Sequence, residues 1–126
     1  MLLLPLVGFL PIDDPRIIGT IAAIEGELVE DWLVRRWSRA NGPAEGAFIT
    51  CTCWLSDCLH MQGRSAEARA YFERVLALCN DVGLLSEEWD TARQRMLGNF
   101  PQVLSHLALI NTALGLCGAV LQRGGG

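Results

Sequence analysis

The 126-residue sequence has no run of basic residues, no glycine-rich loop that could cradle phosphate, and no His/Glu spacing suited to zinc. Nor does it offer a Ser-His-Asp set that could be defended as nucleophilic machinery. The formal net charge is −4, with acids and bases interleaved, so nothing calls for a nucleic-acid partner. The terminal Arg123-Gly124-Gly125-Gly126 is too short for an RNA-binding Arg-Gly segment and reads as a frayed tail. Charged residues make up only 19% against 51% hydrophobic, which excludes a disordered chain and calls for substantial burial.

A long hydrophobic run is also missing. Met1–Leu10 is apolar but too short to cross a hydrocarbon core of about 30 Å as a helix. It has no basic n-region, carries Pro5, and leads into Pro11-Ile12-Asp13-Asp14 rather than a small-residue cleavage site. The expectation is a soluble, cytoplasmic protein with no membrane partner. The cysteines, Cys51, Cys53, Cys58, Cys79 and Cys117, are odd in number and each lies in an apolar run. Positions 51 and 58 share a helical face while 53 points away, which is poor geometry for three-fold metal ligation. Buried free thiols in a reducing compartment are expected, with no metal and no cofactor.

What is present is helical periodicity. Asp14 and Pro15 form a strong helix start, cap and first position, for an amphipathic helix to about Leu28 with Ile17, Ile18, Ile21, Ile24 and Leu28 inward. A second helix, about Ala47 to Met61, is apolar almost all round, which marks an interior helix. Gly63 is placed to end it. A third, from a Ser65 cap to Cys79, is amphipathic again. Pro101 opens a fourth, Gln102 to about Leu121, with apolar residues over most of its circumference. The order outer, inner, outer, inner predicts four helices in two hairpins, an all-α architecture in two layers. The long loops, 30–46 and 80–99, each precede an inner helix and so lie at one end, where loops of that length are usually functional.

The second of these loops carries Leu85-Ser86-Glu87-Glu88-Trp89-Asp90 and ends in Gly98-Asn99-Phe100-Pro101-Gln102. With Leu2–Phe9, Asp13-Asp14-Pro15-Arg16, Glu45-Gly46-Ala47-Phe48 and Leu76–Gly83, it resembles the C-terminal third of the catalytic barrel of glycoside hydrolase family 15, the glucoamylases and bacterial trehalase-like α-glucosidases. The resemblance covers nearly the whole chain. It implies residues 1–126 as a fragment of an (α/α)6 barrel and an inverting hydrolase acting on the α-glucosidic bonds of a disaccharide or oligosaccharide. It also implies Glu87 as the general base, with the part that carries the general acid missing, so that the chain alone is inactive.

Inverting hydrolysis uses one carboxylic acid and one carboxylate roughly 6.5–9.5 Å apart, with a water between base and sugar. Glu87 and Glu88 are sequence neighbours whose side chains diverge in an extended loop, so only one serves; Glu88 is left to bond substrate hydroxyls or orient the loop. Without the resemblance both read as solvated loop carboxylates. In the first loop Arg36 can fork hydrogen bonds to sugar hydroxyls, Trp37 or Trp32 can stack on a pyranose face, and Glu45 can accept from hydroxyls or complement a helix dipole. Trp89 is a further substrate-binding candidate beside the acids. The family pattern Asp-Gly-Leu-Val-x-Arg-Tyr appears here as Asp31-Trp32-Leu33-Val34-Arg35-Arg36-Trp37, and Thr91–Arg95 lacks the glycine usual in that turn. His106 is read as a hydrogen-bonded core histidine more readily than a pocket residue.

A different class competes. Gly63–Phe72 resembles the second helix of a tetratricopeptide unit, which would make the chain a helical-repeat interaction module. No 34-residue period supports it. Two helices apolar all round also predict self-association of the isolated chain.

Overall fold

The computed structural model describes residues 1–38, 40 and 45–118. The Asn41-Gly42-Pro43 part of the first loop, the last residues expected of the fourth helix, and the glycine tail lie outside the described residues.

The chain order is α1 (Leu3–Leu6), α2 (Pro15–Glu27), β1 (Val29–Glu30), β2 (Leu33–Val34), β3 (Ala47–Phe48), α3 (Ile49–Met61), α4 (Ser65–Leu76), β4 (Glu88–Asp90), β5 (Arg95–Leu97) and α5 (Val103–Leu116). The four long helices are those expected, so a partial helical barrel is consistent with the structure. The all-α description is not: the long loops fold into two small antiparallel sheets, β1-β2 and β3-β4-β5. Backbone pairing between loops satisfies amide groups that would otherwise be left without partners beside the helices.

Local chemistry explains the helix ends. Asp14 caps α2 by accepting the Arg16 N–H at 2.9 Å, and the Arg16 guanidinium folds back at 2.8 Å. These bonds pull the Asp14 carboxyl down to about 2. At the end of α3, the Arg64 N–H reaches the Leu59 carbonyl at 2.9 Å and the Gly63 N–H reaches His60 at 3.0 Å, a Schellman pair. Ser65 does not cap α4; its hydroxyl meets His60 Nδ1 at 2.9 Å instead, and the cap position falls on Arg64. The helix expected from Ala47 starts two residues later because Ala47 and Phe48 pair with Trp89 and Glu88. The last helix starts at Val103, with Gln102 rather than Pro101 at its entry, and ends at Leu116.

The interior helix is α3, as its all-round apolarity requires. It packs on α1, α4 and α5, and its Leu55, Cys58 and Leu59 share one buried cluster with Ile17 and Ile21 of α2. Its polar positions are not a wet stripe. Thr52 and Ser56 are fully buried, with each hydroxyl committed: Thr52 Oγ1 accepts the Val34 N–H at 2.9 Å and donates to Phe48, and Ser56 donates to the Ala68 carbonyl at 2.7 Å. Buried hydroxyls with partners tie β2 and α4 to the central helix instead of costing stability.

Among the cysteines, Cys53 and Cys58 are buried as expected, and burial pushes both thiols up to about 12. Cys117 departs from the expectation of burial: it is exposed past the end of α5. The last helix is also less enclosed than its composition asks, since Val103, Leu104, Leu107 and Ile110 are all more than half exposed or close to it in this chain.

Two hairpin turns carry residues in the left-handed region. Asp31 (φ 53°) and Trp32 (φ 61°) form the two-residue turn between β1 and β2, and Gln94 (φ 51°) closes the turn before β5. Left-handed φ is the conformation glycine adopts without steric cost. Trp32, which stands at the glycine of the resembled pattern, and Gln94, in the turn that lacks one, thus both hold a φ that suits glycine.

Candidate active site

The two long loops meet through β3. Ala47 pairs with Trp89 on one side and bridges to Arg35 on the other, which brings the Arg35-Arg36-Trp37 segment beside the Ser86–Asp90 segment. A second core of Leu33, Ile49, Cys53, Val75, Leu78, Leu85 and Ala108 lies beneath and fixes their spacing.

Residues 85–87 are pinned along their length. The Gln102 N–H donates to the Leu85 carbonyl at 2.9 Å, the Leu85 N–H to His106 Nε2 at 3.1 Å, and Ser105 Oγ to the Ser86 carbonyl at 2.8 Å. His106 is thus a hydrogen-bonded structural residue. Glu87 is held by both peptide groups, its N–H on the Asn99 carbonyl at 2.9 Å and its carbonyl on the Ile49 N–H at 3.3 Å. Its Oε2 accepts from Asn99 Nδ2 at 3.0 Å and from the Asn99 N–H at 3.2 Å.

Glu87 opens onto a cavity of about 400 Å³ lined also by Arg36, Phe48, Thr50, Cys51, Trp54, Gln102 and Leu104. The first turns of α3 and α5 both contribute, so the positive ends of two helix dipoles border the carboxylate. The Arg36 guanidinium lies over two rings, 5.6 Å from the Trp37 centroid and 5.5 Å from that of Phe48. A cation held near two ring faces loses less further freedom on meeting a hydroxyl or carboxylate.

The expected site residues divide accordingly. Glu87 and Arg36 share the cavity. Trp37 lies in an adjoining hollow of about 610 Å³ that shares Arg36, Cys51 and Trp54 with it. Glu88 points the other way, accepting the Gly46 N–H at 3.1 Å; burial raises its carboxyl above the usual range, with Glu45 and Glu87 adding to the shift and the Gly46 bond opposing it. Glu45 lines a separate hollow of about 390 Å³ with Arg35, Asp90 and Arg93. Trp89 is half-buried against the second core. Glu45 Oε2 and Trp89 Nε1 are buried with no hydrogen-bond partner among the described residues. Trp32, the other stacking candidate, packs edge-on against Tyr71 at 5.0 Å, at the hairpin tip. The residues that sequence reasoning did not single out are Asn99, Gln102, Thr50 and Trp54. Asn99 and Gln102 stand in the Asn-Phe-Pro-Gln stretch, and that signal could have found them.

Comparison with known proteins bears on this arrangement. The family described as "Glycosyl hydrolases family 15" matches residues 1–114. The chain belongs to that family. It is 43% identical over 126 residues to a protein named trehalase from Thermoplasma acidophilum, covering 98% of this chain and 22% of the relative. It is also 43% identical over 119 residues to a trehalase from Mycolicibacterium smegmatis, covering 90% of this chain and 18% of that protein. The chain thus spans about a fifth of the length of these relatives. No solved structure matches it. Among the described residues no helix is long and apolar enough to cross a membrane.

Proposed function

We propose that this chain forms the base-bearing part of an inverting glycoside hydrolase that cleaves α-glucosidic bonds, with Glu87 as general base. One observation carries the reading: Glu87 is anchored through Oε2 and faces, with Arg36, an open cavity walled by helix N-termini. In the step envisaged, a water bound by Glu87 gives its proton to the carboxylate as its oxygen bonds the anomeric carbon. The glycosidic C–O bond breaks on the opposite face, and the departing oxygen takes a proton from an acid elsewhere in a complete barrel. Arg36 and Trp37 hold hydroxyls and a sugar face. The relatives' names favour trehalose over maltooligosaccharides as substrate. Five free thiols fit a cytoplasmic setting.

Because a base without an acid cannot protonate the leaving oxygen, the 126-residue chain alone turns over neither trehalose nor maltose nor starch. The test is a chimera in which this chain replaces the matching segment of the Thermoplasma acidophilum trehalase. Early-time proton NMR of its products from α,α-trehalose should show α- and β-glucose in equal amounts, the second born by inversion. Formation of α-glucose alone would mean retention and would remove Glu87 from the role of base.

A further inference from the structure

Resting on the assignment of Glu87 as base, we infer that Asn99 is its positioning residue, fixing one carboxylate oxygen so that the other is left to meet water in the cavity. Both donors of Asn99 converge on one atom, Oε2, the side-chain Nδ2 at 3.0 Å and the backbone N–H at 3.2 Å. The Glu87 N–H returns to the Asn99 carbonyl at 2.9 Å, so three bonds join the two residues. Among the described residues none reaches Oε1. A carboxylate bonded through one oxygen cannot spin about its terminal torsion, a freedom that is otherwise broad for glutamate. The preceding residue makes the contact possible: a Cβ on Gly98, at φ +71°, would lie 2.8 Å from Oε2.

The Asn99 side chain has no other visible duty. It is exposed, belongs to neither core, and bonds only Glu87 among the described residues. Its loss should therefore spare folding and strike turnover. In the chimera, Asn99→Ala should lower kcat roughly ten- to hundred-fold, the scale of a misplaced catalytic group, with KM changed by no more than about two-fold. Asn99→Asp has the same shape and keeps the backbone N–H but loses the side-chain donor, and its negative charge disfavours ionised Glu87. The acid limb of its kcat profile should move to higher pH, which a loss of folded protein alone would not do.

Glu87→Ala separates the two ideas. If that variant keeps its activity, the reading of Glu87 as base fails. If it is inactive while both Asn99 variants keep normal kcat and an unmoved acid limb, the inference about Asn99 fails alone. A second measurement uses the chain itself: the Asn99 side-chain amide protons should shift as the solution is acidified, and the shift should vanish in Glu87→Gln. Asn99 amide signals that ignore acidification, or that respond equally in Glu87→Gln, overturn the inference even where the chimera shows no turnover.

Discussion

Gly46 lies so close to Trp89 that a Cβ on it would sit 2.8 Å from the Trp89 carbonyl oxygen. The neighbour is backbone in a paired strand, so it cannot swing aside. Gly46→Ala should therefore part β3 from β4 and cost about 1–3 kcal/mol, the usual range for overpacking. Urea unfolding checks this, and an unchanged midpoint would show that the strand pair gives way without cost.

The two left-handed turns should respond differently to glycine. At Gln94 the side chain is exposed, so Gln94→Gly should relieve strain and stabilise by up to about 1 kcal/mol despite the lost bond to the Thr91 carbonyl. At Trp32 a similar relief is offset by losing the edge-on contact with Tyr71, itself worth about 0.5–1.5 kcal/mol. Trp32→Gly should leave the thermal midpoint nearly unmoved. A large drop would show that the aromatic contact outweighs the backbone term.

Asp57 on α3 is half-buried, and burial raises its carboxyl from 3.8 to about 6. The folded state thus holds this proton to higher pH than the unfolded state, so the ionisation costs stability as pH rises from about 4 through 6. Asp57→Asn should be neutral below that window and stabilising above it, on the order of 1–2 kcal/mol after solvent screening. Denaturant midpoints at pH 3.5, 5 and 7 would test the sign. A gain that is the same at all three would detach it from ionisation.

The exposed apolar face of α5, Val103, Leu104, Leu107 and Ile110, should make the isolated chain self-associate. Leu104→Glu with Leu107→Glu should shift light-scattering mass toward the monomer. A monodisperse wild-type monomer would contradict the expectation.

How much of this was legible beforehand differs by element. The four long helices followed from apolar spacing, and the central place of α3 from residues such as Leu55 and Leu59 that leave it no wet face. What Thr52 and Ser56 do on that helix was not legible, because periodicity cannot report a hydroxyl's partner 18 or 12 residues away. The sheets were invisible for a related reason: Ala47-Phe48 and Glu88-Trp89-Asp90 are too short to show alternation, and they become strands only by pairing. Glu87 and Arg36 were legible as candidates, and the structure brings them to one cavity. Glu45, just ahead of β3, lines a separate hollow with Asp90 and Arg93, and Trp89 packs against the second core; which side each takes is set by contacts far along the chain that the sequence does not display.

The central claim concerns Glu87, and the most direct measurement is steady-state kinetics of Glu87→Gln in the trehalase chimera. The change removes the base while preserving shape. Turnover should fall by about 10²–10⁴-fold, the usual worth of a general base, while trehalose binding, measured separately by calorimetry, stays within about three-fold of the parent. Near-normal turnover would contradict the account and pass the role to another carboxylate, with Glu88 the first to be tested.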